Sequence, residues 1–315
     1  MPNGSDNLTR NCVQGERIAI IIPCRDRRDL LRRCLVSIKE QEIPSEKFEI
    51  MICDDGSNQN ISEVVESFQM HFSEMRVIRQ ESRGPAAARN CGFRSSRAEI
   101  FVCIDSDVIC APNFLKEIIK ALDSHPEWIA AEATVVPNDG LNSPLWDAPA
   151  NRGGVYLSAA SAYRSEALHQ VGGFDEAFIY AACEDTDLAA RLLKIGTYGY
   201  AREAVAYHPR RCVGFGSHWS WRKHWKYIMI LAKRYGFLGF PGRPAGRFPR
   251  IRVSLSAIIR TPMKRIILSL KYARESPFRG LLGFVYGLFD IFCGFIALPS
   301  VLFSPIPPFR NYLRK

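Results

Sequence analysis

The sequence predicts an α/β protein with a mainly parallel central sheet, helices on both faces, and a basic and apolar helical appendage at the C-terminus. Three observations predict it. Short β-rich runs alternate with helical patterns over the first two-thirds of the 315 residues, the order that builds parallel sheets. Two of these runs end in paired acids, Asp54-Asp55 and Asp105-Ser106-Asp107. Charge then changes sign along the chain. Residues 1–201 hold 21 Lys/Arg against 29 Asp/Glu, a net of −8, and residues 202–315 hold 21 against 3, a net of +18.

Taken in order, Arg17–Pro23 reads as a strand, Arg28–Gln41 as a helix, and Phe48–Cys53 as a strand running into the turn Asp54-Asp55-Gly56-Ser57. A helix near Ile61–Gln69, a strand at Met75–Arg79 and a helix from Gly84 to about Arg94 follow. The strand Ile100–Ile104 precedes a helix from Pro112, where proline suits the first helical position. Residues 128–160 mix strand and loop, with turn chemistry at Pro137-Asn138-Asp139-Gly140. Ser165 is placed to cap a short helix ending at Gly172-Gly173. A helix opening at Glu184-Asp185 runs to about Lys194, and a strand follows near Tyr198–Tyr207.

The tail has a different character. Trp219, Trp221 and Trp225 are interleaved with Arg222, Lys223, Lys226, Lys233 and Arg234, and residues 236–250 resemble a linker rich in Gly, Pro and Arg. Met263–Tyr272 is a basic amphipathic stretch. Leu281–Phe303 is a mostly apolar run long enough to span a bilayer, although Asp290 and Pro299 interrupt it. It reads either as a helical hairpin packed on the body or as a membrane anchor with aromatic and basic residues at headgroup level. Nucleic acid is disfavoured as the partner of this basic region, because long aliphatic runs have no use there. The ten cysteines show no C-x-x-C pair and no zinc spacing, as expected of small core residues in a reducing compartment. No apolar segment follows a basic start at the N-terminus. The expected location is the cytoplasmic side of a membrane, with the C-terminal region as the contact.

The acids carry the chemistry. Carboxylates at i and i+2 leaving a strand point the same way, so Asp105 and Asp107 suit a hard cation such as Mg²⁺ or Mn²⁺. The spacing alone recurs at Asp185-Thr186-Asp187, and only the first pair follows a strand-like run. In sheets of this kind ligands bind at the carboxyl ends of the strands, where Asp54 and Asp55 also fall. Those two acids read either as a solvated turn or as acceptors for a base N–H. Gly84 opens a helix whose N-terminus favours phosphate, and Arg89 and Asn90 within it read either as structural or as ligand contacts. Glu184 and Asp185 read as helix-dipole acids or as a catalytic base and its neighbour. His208, just before Pro209, is either a structural histidine or a metal ligand.

Together, Ile20-Ile21-Ile22-Pro23-Cys24-Arg25-Asp26-Arg27, Cys53-Asp54-Asp55-Gly56-Ser57, Gly84-Pro85-Ala86-Ala87-Ala88-Arg89-Asn90-Cys91-Gly92 and Ile104-Asp105-Ser106-Asp107 resemble the nucleotide-binding half of family-2 glycosyltransferases. Gly172-Gly173-Phe174-Asp175-Glu176 and Glu184-Asp185-Thr186-Asp187-Leu188-Ala189-Ala190-Arg191 resemble its acceptor half. The ordered set, over about residues 17–210, is far more specific than any one motif. The resemblance implies a Rossmann-like nucleotide-sugar transferase fold, with Pro23, Arg25, Asp54, Asp55, Gly84, Arg89, Asn90 and Asp105 around the donor nucleotide. It further implies Mn²⁺ or Mg²⁺ on Asp105, Asp107 and, in some members, His208. Asp185 is the implied base and Glu184 orients the acceptor, while Asp187 and Arg191 are structural.

The expected activity is inverting transfer from a nucleoside-diphosphate sugar to a hydroxyl of a glycan or lipid-linked acceptor. The expected division is a tail at 1–16, a catalytic domain at 17–210 and a membrane-associating region at 211–315. One alternative, a nucleotidyltransferase, would carry a Gly-rich phosphate loop with a lysine near the first strand, and Ile20–Arg28 lacks one. The other, a non-catalytic nucleotide-sugar-binding module, sits poorly with intact Asp105, Asp107 and Asp185.

Overall fold

The computed structural model describes residues 17–138, 146–147, 149–212, 227–228, 230–231, 234–235, 263, 266–271, 273–274, 276–303 and 309–313. The alternation of the sequence becomes β1 (Ile18–Cys24), α1 (Arg28–Lys39), β2 (Phe48–Asp55), α2 (Ser62–Phe68), β3 (Met75–Gln80), α3 (Pro85–Ser95) and β4 (Ile100–Ile104). Next come β5 (Ile109–Cys110), α4 (Phe114–Ser124), β6 (Trp128–Pro137), β7 (Trp146–Asp147), β8 (Ala160–Arg164), α5 (Ser165–Val171), α6 (Glu184–Leu192), β9 (Thr197–His208) and β10 (Arg211–Cys212).

Eight strands form one sheet in the order β3-β2-β1-β4-β8-β6-β9-β5. Four of its seven pairings are parallel. The three antiparallel ones are β4 with β8, β6 with β8, and β5 with β9. Both faces are covered, which is why the central strands read as continuous apolar runs. Ile18, Ile20 and Ile22 of β1 join a core with residues of α1, α2 and α4. Ala19 and Ile21 join a second core with α3, α5 and α6. The chain crosses from β1 over to β2 on one side and β4 on the other, so the carboxyl ends of these strands form the crevice where such sheets bind ligands.

Several boundaries differ from the sequence reading. β2 continues through Asp54 and Asp55, so both acids are buried strand residues rather than parts of a solvated turn. Helix α4 starts at Phe114, after a turn that contains Pro112. Ser165 is the first residue of α5 and makes no capping bond.

In the tail, the tryptophan cluster and the linker-like stretch lie outside the described residues. The apolar run forms a single helix, α7 (Pro277–Phe303), rather than a hairpin. At 1.5 Å per residue it is roughly 40 Å long. Among the described residues no helix is long and apolar enough to cross a membrane. Beyond α7 the chain returns to the body. The Tyr312 amide donates to the Gly172 carbonyl at 3.1 Å, the Tyr312 hydroxyl to Asp175 at 3.2 Å, and Leu313 sits in the second core. α7 exposes Phe278, Leu281, Val285, Leu288, Phe292, Phe295 and Ile296, a stripe along one helix face.

Candidate active site

Asp105 and Asp107 leave β4 in the short loop to β5. Because β5 pairs antiparallel with the end of β9, Ile109 opposite Tyr207 and Cys110 opposite Ala206, the next residue of β9, His208, lands beside that loop. One ligand atom from each of Asp105, Asp107 and His208 lies within 4.8 Å of the others. His208 is buried, and its Nδ1 lies 2.9 Å from the Pro209 carbonyl. Nδ1–H therefore donates there, which leaves the Nε2 lone pair facing Asp107 Oδ1 at 3.5 Å. Asp107 Oδ1 is itself buried without a hydrogen-bond partner. An orphaned buried carboxylate oxygen, an imidazole lone pair and a second carboxylate make a donor set that fits a hard divalent cation.

The second pair of acids opens α6. Glu184 is buried, whereas Asp185 is half-buried and accepts from the Thr186 amide at 2.7 Å. Arg89 joins the two groups. Its Nη2 donates to Asp105 Oδ1 at 2.6 Å and its Nη1 to Glu184 Oε1 at 3.2 Å. Burial pushes the Glu184 carboxyl up to about 7, the Asp185 charge adds to this, and Arg89 pulls against it. Asp185 is also raised, chiefly by burial, against the Thr186 amide bond. Burial acts to raise Asp105 as well, but Arg89 more than cancels it and leaves that carboxyl lowered.

Other residues expected at the donor also make contacts within the protein. Asn90 has no exposed surface. Its amide donates to the Phe174 carbonyl and to Glu176, and its oxygen accepts from the Phe174 amide. It ties α3 to the Gly-Gly-Phe-Asp-Glu loop. Gly173 is a glycine for the same reason, since a Cβ there would stand 2.6 Å from the Asn90 oxygen. Gly84 does permit a close approach, at a φ of +93° with a Cβ that would meet the Ile179 carbonyl at 2.0 Å. Arg89, fully buried on its two carboxylates, is a link within the protein.

Asp54 and Asp55 close the crevice on the β2 side. Asp54 accepts from Arg79 and from the Ser57 amide, both at 2.9 Å. Asp55 accepts from Gln80 and the Arg83 amide at 2.8 Å, the Gly84 amide at 2.9 Å and the Ser82 hydroxyl at 3.3 Å. Four donors fill the acceptor sites of a carboxylate, so a base N–H would have to replace one of them. The longest, Ser82, is the one that also bonds exposed Arg25. Pro23 sits at the end of β1, half-buried opposite Cys53.

The sequence reading missed a cationic flank. Arg27 and Arg211 both bond Asp107 Oδ2. Arg27 follows the β1 run and Arg211 comes three residues after His208, so proximity to already suspected residues was the available signal. It also missed Arg234 and Tyr235, which bond Asp187 together with Arg191. No local pattern points to those.

The family model described as glycosyl transferase family 2 matches residues 19–167. Over 105 residues the chain is 33% identical to the uncharacterized glycosyltransferase YfnE of Bacillus subtilis (strain 168), a match covering 33% of this chain and 26% of YfnE. Among solved structures, the mannosyltransferase PcManGT from Pyrobaculum calidifontis, in complex with GDP-Man and Mn²⁺, is similar with a TM-score of 0.61. That match is 17% identical and covers 91% of this chain and 87% of that one. S. aureus TarS 1–349 in complex with UDP-GlcNAc has a TM-score of 0.55 at 18% identity, over 90% and 91% of the two chains. At such identities the structural likeness is one of fold. The chain spans 26%, 37% and 35% of the length of three curated relatives that it matches.

Proposed function

We propose that this chain, which belongs to glycosyl transferase family 2 through residues 19–167, transfers a sugar from a nucleoside-diphosphate sugar to a hydroxyl of an acceptor at a membrane surface or on a polysaccharide. One observation carries the reading: Arg89 binds Asp105 and Glu184 at once. It thereby holds a metal-type cluster and a pair of raised-pKa carboxylates at the same crevice, the two groups that donor departure and acceptor activation each need.

In this reading Asp185 accepts the proton of the acceptor hydroxyl while that oxygen attacks the anomeric carbon. The bond from that carbon to the diphosphate breaks, the nucleoside diphosphate leaves with the electron pair, and the anomeric centre inverts. Glu184, pinned by Arg89, orients the acceptor. Asp105, Asp107 and His208 would hold Mn²⁺ or Mg²⁺, which supplies charge neutralisation for the departing diphosphate. The donor's nucleotide lies along Pro23, Arg25, Asp54 and Asp55, the base reaching Asp55 in exchange for Ser82.

The acceptor is proposed at a membrane because the exposed stripe of α7 runs beside exposed Arg274 and Arg279, within a region of net +18. An apolar stripe flanked by cations suits the headgroup layer of an anionic leaflet. Eight of the ten cysteines are free, which supports a reducing compartment and with it the cytoplasmic face. Release of nucleoside diphosphate from a panel of nucleotide-sugars, with Mn²⁺ or Mg²⁺ and a membrane extract as acceptor, tests the activity. At least one donor should be consumed. Calorimetry of UDP and GDP with and without Mn²⁺ tests the cation, and Asp107→Ala should remove the metal-dependent part of binding. Consumption of no donor, or identical metal-independent binding in both proteins, would refute the respective part.

A further inference from the structure

Asp107 uses its two oxygens differently. Oδ1 faces His208 and has no hydrogen-bond partner, whereas Oδ2 receives Arg27 Nη1 at 2.7 Å and also Arg211 Nη2. The carboxylate is fully buried, while the two guanidiniums are 34% and 53% exposed. Arg27 arrives from the loop after β1 and Arg211 from the β10 segment after β9, so they come from two separate parts of the fold.

Two full positive charges therefore rest on one carboxylate. The neighbouring carboxylate, Asp105, is already paired with Arg89. One carboxylate cannot neutralise two guanidiniums. Each guanidinium has five N–H donors in a rigid fork suited to phosphate oxygens, and each uses one of them on Asp107. The flank therefore keeps unused N–H donors on two partly exposed guanidiniums directly beside the metal-type cluster.

We infer that Arg27 and Arg211 form a second, protein-borne grip on the donor's diphosphate, in addition to any cation on Asp105, Asp107 and His208. Each spends one donor on Asp107 Oδ2, and the remaining donors take the phosphate oxygens. The inference rests on the donor site proposed above and assigns to it two residues to which the sequence reading gave no role. Arg27 also explains why the β1–α1 loop lies against the cluster. Its ion pair with Asp107 bridges 80 residues of sequence.

Calorimetry with four probes tests this on the full chain: inorganic pyrophosphate with Mn²⁺, UDP and GDP with Mn²⁺, uridine and guanosine, and Mn²⁺ alone. In Arg27→Ala and Arg211→Ala, affinity for pyrophosphate and for the diphosphate that wild type prefers should fall by about ten- to a hundredfold each, the range for a lost bond to a charged group. Nucleoside affinity should stay within about twofold, and Mn²⁺ alone should bind no more weakly, since removing a nearby cation does not disfavour a metal. Arg27→Lys, which keeps the charge and loses the fork, should fall between. Equal pyrophosphate affinity in wild type and both alanine variants would overturn the inference and leave the donor site standing. So would a parallel loss of Mn²⁺ binding, which would make the arginines positioners of Asp107 alone. A wild type that binds neither UDP nor GDP would instead remove the donor site itself.

Discussion

Arg89 donates to Glu184 Oε1 at 3.2 Å across 95 residues of sequence, a bond between the middle of α3 and the first residue of α6. Both side chains are almost wholly buried. The same guanidinium holds Asp105, so a single cation compensates two carboxylates on opposite sides of the crevice.

Arg89→Ala is expected to leave buried Glu184 and half-buried Asp105 without their cation. Breaking a buried pair by removing one partner costs about 3–5 kcal/mol, so urea unfolding should shift by an amount of that order. A midpoint unchanged from wild type would mean that water replaces the guanidinium without loss.

Asp185→Asn is expected to retain donor binding and lose transfer. The amide keeps the shape of the side chain and removes the basic oxygen, and a general base contributes about 10²–10⁴-fold in rate. Steady-state turnover alongside calorimetric donor binding separates the two effects. Transfer within a few-fold of wild type would make Asp185 a helix-end acid and place the base elsewhere.

The pH dependence follows from the raised carboxyls. A base must be ionised, and Glu184, which burial pushes up to about 7, stands beside Asp185, which burial also raises. Transfer should climb as pH rises through that value and level off above it, with apparent pKa values belonging to the pair. Stability runs the other way. Between the ordinary value of 4.5 and about 7 the folded Glu184 holds more proton than the unfolded one, so its contribution declines as pH rises across that window. Comparing urea midpoints of wild type and Glu184→Gln at pH 5 and pH 8 reads this directly. Wild type should lose ground to the variant between the two. A constant difference would show that Glu184 is not raised.

Full-length protein is expected to sediment with anionic liposomes and to remain there at high salt, because apolar burial is not screened. Leu281→Asp combined with Phe292→Asp, both exposed on α7, should convert this into salt-sensitive binding through the basic residues alone, each worth about 1 kcal/mol near the surface. Full-length protein that stays in the supernatant would reject the membrane contact.

Much of the fold was legible because its signals are local. The strands Ile18–Cys24, Phe48–Asp55 and Ile100–Ile104 are apolar runs between turn residues, and a doubly covered sheet demands such runs. The acids Asp54, Asp55, Asp105 and Asp107 stand at the carboxyl ends of those strands, where topology places ligands. The Glu184-Asp185 helix start was visible for the same reason. What each side chain does there was not visible. Asn90 and Arg89 are neighbours in one motif, yet Asn90 bonds the Phe174 backbone and Arg89 bonds two acids, because successive residues of a helix face different directions.

By itself, then, the sequence determined the order of elements, the edge at which the acids collect and the surplus of cations in the tail. The tertiary structure decided which charges meet. His208 and Arg211 meet Asp107 because β5 pairs with β9, and Arg27 meets it because β1 pairs with β4. The C-terminal residues return to Asp175 only because Leu313 finds a place in the second core. Local patterns set backbone conformation and burial, whereas the state of a buried carboxylate depends on partners tens of residues away, and those are brought near only by packing.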